Sequence, residues 1–223
     1  MSDRRLATLA SLAALTALVY AMVAVRVVYT GSEHYGALVW NLFLAWLPLV
    51  VALAVYDGYR RGAGAPLLLP GAGLWLLFFP NAPYIVTDLK HLRSWTGAPI
   101  WFDAVLVCAA AWTGLALGFA SLYLMQSVAR RLVGSFNAWL FAVAVLALSS
   151  FGIYLGRFER WNSWDVLIQP RTLLAELGSL DHTRTAAVTI LFTAFLAATY
   201  AAFYCFLAAA APSSGNREAS PGR

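Results

Sequence analysis

A chain of 223 residues is one domain's length, yet 61% of this one is apolar, only 11% is charged and the mean hydropathy is +0.72. That composition leaves too little polar surface to coat a water-soluble globule. The formal charge of +5 would suggest a nucleic-acid partner in a soluble protein. Here it falls in Arg doublets beside apolar runs, where topology and anionic lipid account for it, so membrane lipid is expected as a partner and nucleic acid is not.

The apolar residues are gathered into runs near the ~20 residues that cross about 30 Å of hydrocarbon. The first covers residues 6–25, between Arg4-Arg5 and Arg26. It is longer than a signal-peptide core and lacks a small-x-small cleavage site, so it reads as an uncleaved first helix. The second, residues 35–56, ends at Asp57, Arg60 and Arg61. The third begins near Pro66, breaks at Pro80-Asn81-Ala82-Pro83 and resumes over residues 84–89. The fourth, residues 100–126, runs down to Arg130 and Arg131, and the fifth spans residues 136–156. Residues 170–180 read as a short interfacial helix, and residues 186–211 form the sixth run. The expectation is an all-α, polytopic integral membrane helix bundle of about six transmembrane helices. Residues 1–211 make one domain with its third helix broken at Pro80–Pro83, and residues 212–223 a disordered tail.

Lys and Arg in the loops set orientation. With the N-terminus inside, eight fall inside (Arg4, Arg5, Arg60, Arg61, Arg130, Arg131, Arg217, Arg223) and seven outside, nearly a tie. The doublets nonetheless recur at successive inner positions, and most outer Arg residues have acidic neighbours. The whole formal +5 therefore lies inside, and the expected location is a bacterial inner membrane with both termini cytoplasmic. Cys108 and Cys205, both within apolar runs, read as small core residues rather than as a disulfide or metal pair. No Cys/His spacing suggests a metal and no phosphate loop is evident, so no metal is expected and any cofactor is unknown. Gly114-x-x-x-Gly118 and Gly152-x-x-x-Gly156 each place two small residues on one helix face, which predicts that the fourth and fifth helices pair through them.

The face away from the Arg doublets differs in kind. Trp40, Trp95, Trp101, Trp161 and Trp164 lie at that level with Tyr29, Tyr35 and Tyr84, as in an interfacial aromatic belt. Polar residues are interleaved with them. Residues 66–79 give only about 21 Å of helix before the break, so irregular backbone falls within the membrane, where protein or a water-filled cavity must cover it. Pro80 and Pro83 cannot donate to the carbonyls of Leu76 and Phe79, and discontinuous helices of this kind form binding sites in transporters. A plain proline kink is the simpler alternative. Past the break, Asp88 and His91 share a face if the segment is helical: a carboxylate–imidazole pair, two incomplete metal ligands, or a solvated turn. Arg157 and Arg160, one turn apart, could offer two guanidinium forks to one anion or clamp the helices by pairing with Asp88, Asp103 or Asp165. Asp103 also suits the first turn of its helix by charge alone.

With six crossings, the loops after helices one, three and five share a side in either orientation. The candidate ligand site is therefore Asn81, Asp88, His91, Asp103, Arg157, Arg160, Asn162 and Asp165. Three functions are open: binding or moving an anionic or amphipathic ligand; a membrane enzyme acting on a lipid-linked substrate, with Asp88 or Asp165 as base and His91 as acid or ligand; and a structural subunit docking a protein partner or a second copy. The first is favoured, because a discontinuous helix beside paired Arg needs no catalytic spacing and none is evident.

Two stretches carry a resemblance: Phe78-Phe79-Pro80-Asn81-Ala82-Pro83-Tyr84-Ile85-Val86-Thr87-Asp88-Leu89-Lys90-His91-Leu92 and Gly152-Ile153-Tyr154-Leu155-Gly156-Arg157-Phe158-Glu159-Arg160-Trp161-Asn162-Ser163-Trp164-Asp165. They resemble the signature stretches of a bacterial multi-pass membrane family, the domain of unknown function numbered thirteen sixty-one, over residues 40–207. The resemblance implies a membrane location and brings no activity, substrate or catalytic residue.

Overall fold

The computed structural model describes residues 3–93, 97–161, 165–178 and 180–210. Among the described residues every regular element is a helix. In chain order they are α1 (Asp3–Thr30), α2 (Gly36–Arg60), α3 (Ala65–Phe78), one-turn α4 (Asn81–Tyr84), a tighter 3₁₀ helix (Ile85–Arg93), α5 (Ile100–Phe158), one-turn α6 (Asp165–Ile168), α7 (Pro170–Leu177) and α8 (His182–Ala209). The expected tail, residues 212–223, lies outside the described residues.

Five stretches are long and apolar enough to cross a membrane: Arg5–Thr30, Gly36–Arg60, Ala65–Lys90, Ile100–Phe158 and His182–Ala209. The fourth is 59 residues, about 88 Å if straight at ~1.5 Å per residue, far more than one bilayer. It is not straight. Gly134 has φ 84° and ψ 169°, a left-handed conformation that only glycine adopts readily. Phe119 and Trp139 both pack on the ring of Tyr200, with centroids 5.5 and 6.0 Å away. A straight helix would hold those two residues about 30 Å apart. The chain therefore folds back at Gly134 into two arms, residues 100–133 and 135–158, which supply the fourth and fifth apolar passes. The arms meet at a single glycine.

These arms form the middle of the bundle. Leu106, Val107 and Ala110 of the first arm pack with Val19 and Val23 of α1 and Leu42 and Ala45 of α2. Farther along, Leu122, Leu146 and Ile153 enclose Trp75, Phe79, Leu196 and Tyr200. Two buried polar contacts tie the passes together here: the Tyr200 hydroxyl donates to Gln126 Oε1 at 2.6 Å, and the Trp75 indole donates to Ser121 Oγ at 3.3 Å. At the Gly134 end, Arg5 pairs with Asp57 at 2.8 Å, and Arg130 donates to the Tyr204 hydroxyl at 3.1 Å.

The glycine motifs do not join the two arms to each other. A methyl group on Gly114 would lie 2.5 Å from the Ala82 carbonyl oxygen, and one on Gly118 3.2 Å from Ala82 Cβ. On the other arm, one on Gly152 would lie 3.2 Å from Pro80 Cγ, and one on Gly156 3.2 Å from the Tyr84 ring. Both motifs thus face α4 and the residue before it, which sit as a wedge between the arms. Apolar burial gives helices in lipid little reason to associate, so close backbone approach is what holds such a contact. The cysteines also differ from expectation. Cys108 and Cys205 are unpaired and exposed on the bundle surface, because each falls on the side of its helix turned away from the core.

Candidate ligand cleft at the Asp103 end

The break after α3 is closed by local hydrogen bonds. Pro80 and Pro83 keep right-handed helical torsions at the junction but have no N–H to donate. The Phe79 carbonyl accepts from the Ala82 N–H at 3.2 Å, the Pro80 carbonyl from the Tyr84 N–H at 3.0 Å, and the Phe78 carbonyl from the Asn81 side-chain amide at 3.0 Å. Asn81 therefore serves as a plug for the break. The chain then tightens into the 3₁₀ helix, which carries Thr87 and Asp88 toward the end of the second α5 arm.

Arg157, in the last turn of α5, meets them there. Its Nε donates to Thr87 Oγ1 at 2.7 Å, and its Nη2 pairs with Asp88 Oδ1 at 2.5 Å. The Thr87 hydroxyl in turn donates to the Tyr84 carbonyl at 2.7 Å, and the Asn41 amide of α2 donates to Asp88 Oδ2 at 3.2 Å. The guanidinium lies over the Tyr84 ring, 4.5 Å from its centroid, an arrangement that adds cation–π attraction. One ion pair thus ties together α2, the broken third pass and the fifth.

A second pair repeats this construction nearby. Arg26, near the end of α1, grips Asp103 of α5 with two hydrogen bonds of 2.7 and 3.0 Å, and both side chains are almost wholly buried at 1% and 2% exposure. Its guanidinium lies 4.5 Å above the Tyr35 ring. Burial pushes the Tyr35 phenol above its ordinary range, with the Asp103 charge acting in the same direction and Arg26 opposing it, so the hydroxyl stays protonated.

Two clefts with polar side chains in their walls flank this framework. The first, about 290 Å³, is lined by Trp40, Asn41, Asn81, Tyr84, Arg160 and Trp161. The second, about 270 Å³, is lined by His34, Tyr35, Asn41, Tyr84, Asp88 and Arg157. Asn41 and Tyr84 belong to both, so the clefts adjoin across them. A third, about 230 Å³ and mainly apolar, lies against Arg26, Tyr29, Trp101 and Phe102.

Asn81, Asp88, Arg157 and Arg160 surround the two polar clefts. Asp103 lies at the same end of the bundle but lines neither, being held by Arg26. Asp165 is half-buried at the start of α6 and lines none of the three clefts. The His91 side chain and Asn162 lie outside the described residues, as do Trp95 and Trp164 of the aromatic belt. Arg157 and Arg160 do not form one fork. The helix ends at Phe158 and Arg160 takes a left-handed φ of 62°, so Arg157 turns in to Asp88 while the exposed Arg160 stands at the first cleft. Among the described residues Arg160 makes no ion pair, and it is the sole formal charge lining that cleft.

Of the belt aromatics, Tyr29, Trp40 and Trp101 are exposed as expected, whereas Tyr35 and Tyr84 lie beneath guanidinium groups. The sequence reading passed over Asn41, Thr87 and Arg26. Asn41 had a signal, as the one amide in the otherwise apolar second run; Arg26 looked like an ordinary flanking charge. Among the described residues no group of three or more His, Cys, Asp or Glu side chains could hold a metal ion.

No curated protein and no solved structure shows significant similarity to the chain. A family model does match it, over residues 40–199, a stretch that holds both clefts apart from His34, Tyr35, Ala37 and Leu38 and omits α1 with Arg26. The chain therefore belongs to the family described as "Protein of unknown function (DUF1361)".

Proposed function

We propose that this membrane protein binds an anionic amphiphile in the first cleft, at the membrane face opposite the Arg doublets. The observation that carries the reading is Arg160: a guanidinium with no ion pair among the described residues, beside a cleft that contains no acidic side chain. Asn41 adds an amide group, and Trp40, Tyr84 and Trp161 add aromatic surface. Trp40 is 55% exposed and stacks on the exposed Phe43 at 5.4 Å, giving an alkyl chain an apolar track leading out of the cleft. A cationic head with an apolar track beside it matches an anion that carries a hydrocarbon tail. The N-terminus-inside orientation would place this cleft on the external face of the cytoplasmic membrane. The catalytic alternative has less support, because Asp88 holds Arg157 with one oxygen and Asn41 with the other.

Trp40 and Trp161 provide a fluorescence signal. Dodecyl phosphate titrated into the protein in dodecyl maltoside micelles is expected to change the emission saturably, and dodecyltrimethylammonium is not. Arg160→Ala is expected to weaken dodecyl phosphate binding about tenfold, the loss of one charge-assisted contact. Equal affinity for the two detergents, or an Arg160→Ala variant that binds dodecyl phosphate like the parent, would overturn the reading.

A further inference from the structure

The second cleft differs chemically from the first. It holds one carboxylate and one guanidinium, Asp88 and Arg157, and these are bonded to each other. Its formal charge is therefore balanced, and a further charge of either sign placed there would meet both an attractor and a repeller. Lys90 adds positive charge in the surroundings, being close enough to Arg157, Asp88 and Arg160 to feel their charges, which disfavours an ammonium. The cleft does offer hydrogen bonds. Tyr35 lines the cleft, and its hydroxyl is itself buried and has no hydrogen-bond partner among the described residues. The Asn41 amide keeps its oxygen and its second N–H beyond the bond to Asp88, and the Asp88 oxygens retain lone pairs. A set of acceptors and donors without net charge matches hydroxyl groups, which both donate and accept. Buried polar groups are as a rule hydrogen-bonded, so an unpartnered phenol in a cleft marks a place for such a group.

The two clefts share Asn41 and Tyr84, so one ligand can reach both. We infer that the ligand is a polyol or sugar phosphate amphiphile: its phosphate meets Arg160 in the first cleft, and its hydroxyl-bearing headgroup occupies the second, against Tyr35, Asn41 and Asp88. The inference rests on the proposed anion site and adds the headgroup to it. Tyr35 is a headgroup-selecting residue, and it is not needed for the phosphate.

Three probes separate the parts: dodecyl phosphate, dodecyl phosphoglycerol, and glycerol phosphate without a chain. The phosphoglycerol detergent is expected to bind about tenfold more tightly than dodecyl phosphate. Tyr35→Phe, which keeps the ring beneath Arg26, is expected to remove that advantage and to leave dodecyl phosphate affinity and thermal stability unchanged. Arg160-dependent binding of both detergents with equal affinity would overturn the headgroup inference and leave the anion site standing. A Tyr35-dependent preference for phosphoglycerol that persists in Arg160→Ala with no loss of affinity would overturn the anion site instead. Glycerol phosphate binding as tightly as its dodecyl ester would overturn the amphiphile in favour of a soluble polyol phosphate.

Discussion

At the scale of single residues, two arginines do the same job in different places. Arg26 and Arg157 each hold an aspartate on another pass and cover a tyrosine ring. Such a pair is neutral as a unit, but either member alone would be an uncompensated charge in a medium that solvates charge poorly. Asp103→Ala is therefore expected to destabilise the protein by about 3–5 kcal/mol, read as a lowered unfolding temperature in detergent. Arg26→Leu combined with Asp103→Leu should recover most of that loss, since no orphan charge remains. A double variant as unstable as the single one would show that the hydrogen bonds themselves carry the stability. In the sequence Asp103 is visible as an unusual acid and Arg26 as a helix flank. Their pairing is not visible, because 77 positions separate them and only the packing of α1 on α5 brings them together.

At the scale of elements, the broken third pass decides where everything else sits. Two prolines in four residues announce the break, and the sequence is sufficient to place it. What the sequence does not reveal is the partner of the glycine motifs: spacing tells that two small residues share a face, and says nothing about which element comes to it. The expectation of arm-to-arm pairing fails because α4 needs that space. Gly114→Ala would drive a methyl group into the Ala82 carbonyl and is expected to cost about 1–3 kcal/mol, as overpacking does. Gly73 has nothing within 4 Å of an added Cβ, so Gly73→Ala should be neutral or should stabilise by up to about 1 kcal/mol through helix propensity. The two substitutions are chemically identical, so melting curves for both isolate close approach from helix propensity. Equal shifts would refute the wedge.

At the scale of the whole molecule, helix content and apolar passes were the most legible features, because each pass must satisfy its own backbone and advertises itself by length. The convergence of Asp88 and Arg157 was legible as well, from the odd-numbered connections alone. The roles of individual site residues were not: Arg157 and Arg160 diverge because the helix ends between them. Sidedness can be read by chemical labelling. Glu33→Cys lies between α1 and α2, and Ala63→Cys between α2 and α3, at opposite ends of the bundle. With Cys108 and Cys205 replaced by Ser, a membrane-impermeant maleimide is expected to label Glu33→Cys in intact cells, and Ala63→Cys only after the membrane is opened. The reverse pattern would invert the proposed orientation, and labelling of both in intact cells would break the bundle topology.

The hairpin hinged at Gly134 behaves as a pair of tongs. Its jaws close on Pro80 and α4 at four glycines with almost no clearance, and the same residues form part of the wall of the first cleft. A wedge held this tightly could shift only if the prongs parted, and the prongs are joined at Gly134, at the far end of the bundle.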